Sequence, residues 1–145
     1  MVQQKNVEPV MVKVVARYPD GRVVKGLTGD FSQYKDHFHV HDVNDPEAPP
    51  RQVRIADLKA VFFVKDLAGD MGHAKSNIFD PYDRTPGQKI RINFKDGEEL
   101  RGFSPDYLPS KAAFFVLPAD LRGNIDRCYV VAAATQKVTI IYTSQ

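Results

Sequence analysis

Three histidines at alternate positions, His37, His39 and His41, are the strongest candidates in this chain for a ligating or reactive group. Alternate side chains of a β-strand project from one face and lie about 7 Å apart. Imidazole nitrogen suits Zn²⁺, Cu²⁺ or Ni²⁺, so two of these histidines could share a metal ion if His73 or a nearby carboxylate completed the site. Because spacing alone is weak support for a metal, we favour a solvated polar strand face and keep metal binding as the alternative.

Other catalytic arrangements are missing from the sequence. There is no serine motif typical of a nucleophile elbow, and no glycine-rich loop precedes a helix to hold a phosphate. Cys128 is the single cysteine, lies in a predicted strand and is typical of a small core residue. The adjacent carboxylates of Glu98 and Glu99 would point to opposite faces of a strand, so they cannot act as a pair. The sequence therefore predicts a protein that is not an enzyme and needs no cofactor.

The composition is that of an ordinary globular protein. The 145 residues are 43% hydrophobic and 26% charged, with a net charge of +2. Basic and acidic residues alternate along the chain, whereas a strong nucleic-acid binder concentrates positive charge on one face. A single cysteine excludes an intrachain disulfide and fits a reducing compartment. No apolar run approaches the roughly 20 residues of a membrane span, so we expect a cytoplasmic protein that does not enter a membrane.

The elements that must carry these residues occur twice in the chain. When the sequence is shifted by 76 positions it aligns with itself without a gap, glycine on glycine and apolar on apolar residue. The aligned positions include Asp20-Gly21 with Asp96-Gly97, Gly26 with Gly102, Phe38 with Phe114 and Arg51 with Arg127. Self-similarity at one fixed spacing indicates an internal duplication.

Each copy is predicted to form five strands. The first strand alternates apolar and polar residues, and an Asp-Gly turn follows it. A glycine interrupts the second strand and suggests the sharp bend that a small barrel needs in order to close. A third strand, a fourth strand, a one-turn break and a fifth strand complete the copy. The predicted fold is all-β, with one five-stranded barrel at 10–65, a linker at 66–88 and a second barrel at 89–143.

This strand order resembles the Sm-like branch of the small SH3-like barrels. The likeness is carried by the apolar, Asp-Gly, apolar, Lys/Arg-Gly stretch that ends at Asp30 and again at Asp106, and by the segment from Val53 to Val64. The resemblance implies two tandem Sm-like barrels and makes RNA or single-stranded DNA the natural ligand. Two features depart from the family: the loop after Asp30 is longer than usual, and the asparagine that helps Sm proteins hold RNA bases has no clear counterpart.

A second likeness is to a family of uncharacterised bacterial domains. It is carried by Phe62–Asp66, Phe114–Asp120, Asn124 and Arg127. Domains of that family occur alone or attached to other modules. The resemblance therefore implies a bacterial protein with a regulatory or adaptor role, and it implies no particular chemistry.

The two copies differ on the face of the fifth strand. The first copy has Val61 and Phe63 where the gapless alignment gives the second copy Lys137 and Thr139. Contiguous apolar surface marks an interface. We therefore expect Val61 and Phe63 to be buried between the copies, against the linker or across a dimer.

The third strand shows the opposite difference, because the second copy has Phe115 and Leu117 where the first has histidines. We expect these two residues to be buried in the same way, and the linker residues Phe79 and Tyr82 to pack on a barrel as part of a strap. Together the six apolar residues form the predicted interaction surface. The leading prediction is a binding or adaptor module that contacts a protein partner or a second copy of itself.

Nucleic-acid binding is the alternative function. Single-strand binders combine basic grooves with stacking aromatic side chains. The candidates in the first copy are Arg17, Arg22, Lys25, Tyr34, Lys35 and Arg51. These residues are interleaved with aspartates, as on ordinary mixed-charge surfaces, so this function ranks second.

Overall fold

The computed structural model describes residues 10–69, 77–81, 83–120 and 122–142. Within them the chain forms ten strands and two single-turn 3₁₀ helices. The first half contains β1 (Val12–Arg17), β2 (Val23–Thr28), β3 (His37–Val40), β4 (Arg51–Arg54), the 3₁₀ helix Ile55–Asp57 and β5 (Ala60–Val64). The second half contains β6 (Gln88–Phe94), β7 (Glu99–Ser104), β8 (Ala113–Pro118), β9 (Ile125–Val131), the 3₁₀ helix Ala132–Ala134 and β10 (Thr135–Ile140).

Each half opens with a hairpin whose turn is specified by an Asp-Gly pair. Gly21 and Gly97 both have φ of +95°, a left-handed conformation that glycine adopts without steric cost. In each turn the aspartate carboxylate accepts the backbone N–H two residues later, at 3.0 Å. The aspartate therefore satisfies a donor that the turn leaves free, and the same dipeptide builds the same turn twice.

Eight strands form one open antiparallel sheet that crosses both halves, in the order β10-β6-β7-β8-β9-β5-β1-β2. Strands β3 and β4 form a separate two-stranded sheet. The predicted all-β class is confirmed. The closure of each copy into a separate small barrel, and the domain limits 10–65, 66–88 and 89–143, stay predictions.

The order of strand pairing is the same in the two halves. In the first half β5 pairs with β1, β1 with β2 and β3 with β4, while an isolated bridge between Leu27 and His41 joins β2 to the end of β3. In the second half β10 pairs with β6, β6 with β7, β7 with β8 and β8 with β9. The pair of Phe103 and Leu117 in β7 and β8 occupies the place of the first-half bridge.

The interior glycines of β2 and β7 allow the next strand to approach closely, as predicted. A Cβ atom on Gly26 would lie 2.1 Å from the carbonyl oxygen of His41. A Cβ atom on Gly102 would lie 2.3 Å from that of Leu117. Both distances are far shorter than van der Waals contact, so only glycine fits at either bend.

The strand registers correct the gapless alignment of the two copies. Through the third strand the shift is 76 positions, since the bridges of the two halves correspond at that spacing. From the fourth strand onward the shift is 77, because Phe38 faces Val53 in one half and Phe114 faces Val130 in the other. The extra residue therefore lies in the loop before β9, where an insertion disturbs no pairing.

This one-residue correction changes which residues of the fifth strands correspond. Val61 is paired with Ala16 in β1, and its structural equivalent in β10 is Val138; the equivalent of Phe63 is Ile140. The predicted contrast with Lys137 and Thr139 was therefore wrong by one position. Since a slip of one residue exchanges the two faces of a strand, the fifth strands are both apolar on this face.

Two hydrophobic cores lie on the two sides of a shared wall, which consists of the paired strands β5 and β9. The first core holds Val14, Ala16, Val24, Phe38, Val40, Val53, Ile55, Leu58, Val61 and Phe63, with Tyr129 and Val131 from β9. The second core holds Ile90, Ile92, Phe94, Leu100, Phe114, Val116, Cys128, Val130 and Ala134, with Val15, Ala60, Phe62 and Val64 from the first half. Strands β5 and β9 thus send alternate side chains into both cores, which explains why all five residues of β5 are apolar and buried.

Two described linker residues, Asn77 and Phe79, pack on the second half. The side-chain amide of Asn77 donates to the carbonyl of Glu99 at 3.1 Å and accepts the N–H of Arg101 at 3.2 Å, so it covers a stretch of β7 edge. The ring of Phe79 meets that of Phe103 edge-on at 5.2 Å. Tyr82 lies outside the described residues.

Helices contribute little to the described chain. Its two 3₁₀ helices are three residues long, and no helix of that part is long and apolar enough to cross a membrane.

Candidate binding site at the junction of the two halves

An aromatic cluster joins the two halves on the face of the first core. Phe31 lies edge-on to Phe38, Phe63 and Tyr129, with ring centroids 5.3, 5.0 and 5.3 Å away. Phe115 lies 4.7 Å from Tyr129 in the same cluster. Burial raises the pKa of the Tyr129 phenol. Edge-on packing is the favourable geometry for aromatic rings, so this cluster is a fixed contact between β5, β8, β9 and the loop before β3.

The structure places the predicted interaction residues in different surroundings. Val61 and Phe63 are buried within the chain, in the first core, together with Tyr129 and Val131 of β9. Phe115 is half-buried against the same core, and Leu117 is half-buried in β8. Phe79 is half-buried on the second half. Since the two β5 residues face the interior, they are not on a surface that an incoming partner could reach.

Arg127 covers the outer side of the aromatic cluster. Its guanidinium lies 4.3 Å from the centroid of Phe63 and 5.5 Å from that of Phe115. A guanidinium over two ring faces is a cation–π arrangement. Arg127 therefore joins β5 to β8 from its place in β9.

Lys59 joins the halves at the opposite end of the shared wall. Its side chain is 8% exposed, and its ammonium donates to Asp96 at 2.7 Å and to Glu98 at 2.5 Å. It also lies 4.6 Å from the ring centroid of Phe94. The Lys59 ammonium, followed by the Glu98 backbone N–H, lowers the pKa of the Asp96 carboxyl. A buried lysine needs such partners, because an unpaired ammonium in the interior is costly.

A backbone clasp connects the end of β5 to the loop before β9. The Asn124 side chain accepts the N–H of Asp66 at 2.9 Å and donates to its carbonyl at 2.8 Å. The Lys65 N–H donates to the Asn124 carbonyl at 2.8 Å, and its ammonium to the Gly123 carbonyl at 2.9 Å. Several residues that carry the second sequence resemblance therefore meet one another at this junction.

A cavity of about 300 Å³ lies between the clasp and the face of β1, β2 and β5 that points away from the first core and toward the second half. Its apolar wall includes Val15, Phe62 and Val64 from the first half and Leu100 and Ile125 from the second. The linker residues 67–69 and 77 border it. The cavity exists because two halves and a linker enclose it, so no single copy would form it.

Two cations from the nucleic-acid set line this cavity, Arg17 and Lys25. Val15 faces Lys25 across β1 and β2, and Arg17 follows Val15 on the same face, so the two cations are diagonal neighbours. The Arg17 guanidinium lies 5.8 Å from the centroid of Phe62. The Lys25 ammonium donates to the Leu67 carbonyl at 3.3 Å.

The other members of that set are placed elsewhere. Arg22 pairs with Asp20 at 2.8 Å and lies over the Tyr18 ring, so it belongs to the first hairpin turn. Tyr34 and Lys35 are exposed in the loop before β3, and Arg51 is exposed at the start of β4. Of the six residues, only Arg17 and Lys25 line one cavity, and nucleic-acid binding by the whole set stays a prediction.

Two of the three histidines, His37 and His39, each contact an aspartate, and their rings meet edge-on at 5.6 Å. His37 Nδ1 lies 2.6 Å from Asp36, and His39 Nδ1 lies 2.7 Å from Asp30. His41 is exposed at the end of the strand. In the part of the chain that the structure describes, no group of three or more His, Cys, Asp or Glu side chains is placed to hold a metal ion.

The contact between Asp30 and His39 has a structural counterpart in the second half. Asp30 accepts the backbone N–H of His39 at 2.9 Å, and Asp106 accepts that of Phe115 at 2.9 Å. Burial raises the pKa of Asp30, but the hydrogen bonds from His39 and Thr28 outweigh it and leave that pKa lowered. Asp30 and Asp106 therefore each anchor a loop on the following strand. This structural role accounts for the contact between Asp30 and His39.

Sequence reasoning missed Lys59, Asn77 and the aromatic partners Phe31 and Tyr129. Lys59 could have been noticed as the one charge inside the apolar run from Leu58 to Val64. The others carry no local signal, because their partners lie far away in the sequence. Cys128 is buried beside the Val116 carbonyl, as a small core residue should be.

Comparison with known proteins supports the second sequence resemblance. No curated protein and no solved structure matches the chain. A family of unknown function (DUF6982) matches residues 11–142, which span both halves and the linker. The chain therefore belongs to that family of uncharacterised proteins.

Proposed function

We propose that the protein is a non-enzymatic binding module that contacts another protein through the edge of β10. The observation that carries this proposal is that, among the residues that the structure describes, β10 ends the eight-stranded sheet and pairs only with β6. An edge strand presents unpaired N–H and C=O groups that can pair with an extended segment of another chain. Because Val61 and Phe63 are buried in the first core, β5 offers no surface to a partner, and the β10 edge is the better candidate.

The direction of the β10 backbone defines which groups are free. Ile141 donates its N–H to Lys89 at 2.8 Å, so its backbone points toward β6. Backbone groups alternate in direction along a strand. Val138 and Ile140 therefore direct their N–H and C=O groups outward, while their side chains pack on the second core.

The other sheet edges suit a partner less well. Strand β4 is four residues long and carries Arg51 and Arg54, and short charged edges resist pairing. Strand β2 is joined to the β3 end by the Leu27 bridge. Strand β10 is six residues long with one charge, Lys137, and is followed by Tyr142, whose surface is 83% exposed.

We also infer that the two halves are copies of one small SH3/Sm-like barrel. The repeated pairing order, the two Asp-Gly turns and the two glycine bends support this inference. The single buried cysteine supports a reducing, cytoplasmic location. In such a duplicated module, the shared wall replaces a contact between separate chains, and β10 is left for an outside partner.

Selection of displayed peptides tests the proposed contact. A library of extended peptides is selected on the immobilised protein, and hydrogen exchange is measured with an enriched peptide bound. We expect the amides of Val138 and Ile140 to become protected, because they would donate to the added strand. Enriched peptides that protect other amides, or a library that yields none, would contradict the proposal.

A pair of variants separates edge pairing from side-chain packing. Ile140→Pro removes an outward N–H without removing a bond to β6, since proline is tolerated at such edge positions. Ile140→Val retains the N–H and trims the side chain by one methylene. Peptide binding should be lost in Ile140→Pro and retained in Ile140→Val; equal binding by the two variants would contradict strand addition.

A further inference from the structure

We infer that the cavity between the halves is a binding site for a small organic anion, one that joins a carboxylate or phosphate group to a compact apolar group. This site is separate from the β10 edge. It lies on the face of β1, β2 and β5 that points toward the second half, and it depends on the junction between the halves.

The apolar wall of the cavity indicates that the larger part of the ligand is apolar. Val15, Phe62, Val64 and Leu100 are buried residues that meet at the cavity, and the half-buried Ile125 adds to the same wall. Ligand sites are mostly apolar concave surfaces with a few placed polar groups. The aromatic ring of Phe62 gives a flat or branched apolar group a surface to pack against.

The cations select the head group. Among the described residues neither Arg17 nor Lys25 has a carboxylate partner, and both are exposed at the cavity. Their Cα atoms lie on adjacent strands at diagonal positions of one face, a spacing that lets two long side chains reach the oxygens of one carboxylate or phosphate. Arg17 is held over Phe62, so its guanidinium is placed between the apolar wall and the rim.

The size of the cavity limits the ligand. Its 300 Å³ equals the share of roughly ten water molecules, which is the lower end of small-molecule sites. Among the described residues, the carboxylate of Asp120 also lines the cavity, and it accepts the backbone N–H of Arg122 at 3.2 Å. A ligand with one anionic group therefore fits the two cations better than a polyanion would.

Titration with three small probes tests the site, with amide NMR spectra as the readout. Phenylacetate joins a carboxylate to an aromatic ring, phenethyl alcohol has the ring without the charge, and inorganic phosphate has the charge without the ring. We expect saturable shifts from phenylacetate at the amides of Val15, Arg17 and Lys25, and much weaker shifts from the other two. Equal shifts from phenylacetate and the alcohol, or no saturable shift from phenylacetate, would overturn the inference.

Variants locate the probe. Arg17→Gln and Lys25→Gln should each weaken phenylacetate binding roughly tenfold, because a charged hydrogen bond is lost. Lys13→Gln is the matched control on the same face of β1; its ammonium donates to the Lys65 carbonyl at 3.0 Å, and binding should be unchanged. Ala68→Trp, at the exposed rim, should block the cavity without changing the fold. Binding that survives in Ala68→Trp or in both cation variants would place the probe elsewhere.

These outcomes are independent of the proposed protein contact. Loss of phenylacetate binding in the cavity variants leaves the β10 amides free, and Ile140→Pro leaves the cavity residues unchanged. Failure of one proposal is therefore distinguishable from failure of the other.

Discussion

The two fifth strands, β5 and β10, hold equivalent places in their halves and have opposite surroundings. Strand β5 lies between β1 and β9, and its five residues are all buried in one core or the other. Within the described ranges strand β10 pairs with β6 alone, and none of its residues is fully buried. The same element is thus an interior wall in one copy and a sheet edge in the other.

This difference shows how two halves with the same order of strand pairing distribute their apolar residues. The face that points into the strand's own half stays apolar in both copies, as Val61 and Val138 show. The opposite face is apolar only in β5, where Phe62 enters the core of the other half, while its equivalent in β10 is Thr139. Extra apolar residues on β5 therefore mark the contact between the halves.

The largest effect should come from truncation of the shared wall. Phe63→Ala removes a buried ring that contacts Phe31 and Arg127, so we expect a loss of about 3–5 kcal/mol in the free energy of unfolding. The equivalent change in the edge strand, Ile140→Ala, should cost about 1–2 kcal/mol, because that side chain is only half-buried. Urea denaturation of both variants measures the two losses. Similar losses in the two variants would contradict the description of β5 as an interior strand and β10 as an edge strand.

Glycine substitutions test whether the two halves close in the same way. Gly26→Ala and Gly102→Ala each force a Cβ onto a backbone carbonyl, and we expect a loss of about 3 kcal/mol from either change. The turn glycines are the control, since a Cβ on Gly21 or Gly97 meets nothing within 4 Å. Alanine there should cost only about 1 kcal/mol, from the positive φ. If thermal unfolding showed a larger loss of stability in the turn variants than in Gly26→Ala and Gly102→Ala, the close approach at the two bends would be contradicted.

Replacement of the buried lysine tests the polar end of the junction. Lys59→Met removes the ammonium that pairs with Asp96 and Glu98. We expect the free energy of unfolding to fall by about 1–2 kcal/mol near neutral pH. This is less than for a fully buried pair, since both carboxylates are 38% exposed and water screens them. Chemical denaturation measures the loss, with Lys35→Met as the control because that lysine is exposed in the loop before β3.

The same variant has a defined pH dependence. The folded state lowers the pKa of Asp96, so its ionised form stabilises the fold above the unfolded pKa, and that contribution is lost as the pH falls through the folded value, below about pH 4. Asp20, Asp30 and Asp36 also have lowered pKa values and contribute to acid unfolding. The difference in stability between the native chain and Lys59→Met should therefore shrink on acidification. A difference that stays constant from pH 7 to about pH 2 would show that Asp96 is not the partner.

The smallest effect concerns hydrogen exchange in the free protein and changes no stability. In β10, the outward amides of Val138 and Ile140 should exchange roughly tenfold or more faster than that of Thr139. In β5, neighbouring amides should be slow alike, because β1 and β9 accept bonds on both sides. Alternation in β5, or its absence in β10, would contradict the assignment of interior and edge.

Much of the fold could be predicted because its signals are local. The alternation of apolar and polar residues, the Asp-Gly turns and the bends at Gly26 and Gly102 are each patterns of a few neighbouring residues. They predicted the order of the strands along the chain in both halves. The alignment failed after the third strand because a loop insertion leaves no mark on the pattern. Only pairing, such as that of Phe114 with Val130, reveals the one-residue shift.

The candidate site could be predicted only in part, for the same physical reason. Arg17 and Lys25 could be named as exposed cations of a half-buried hairpin, but the opposite wall of their cavity comes from residues about 100 positions away, around Ile125. The sequence by itself determined the all-β class and the two glycines that bend β2 and β7. The tertiary structure decided that β5 and β9 form the shared wall, because that pairing depends on side chains from both copies meeting in two cores.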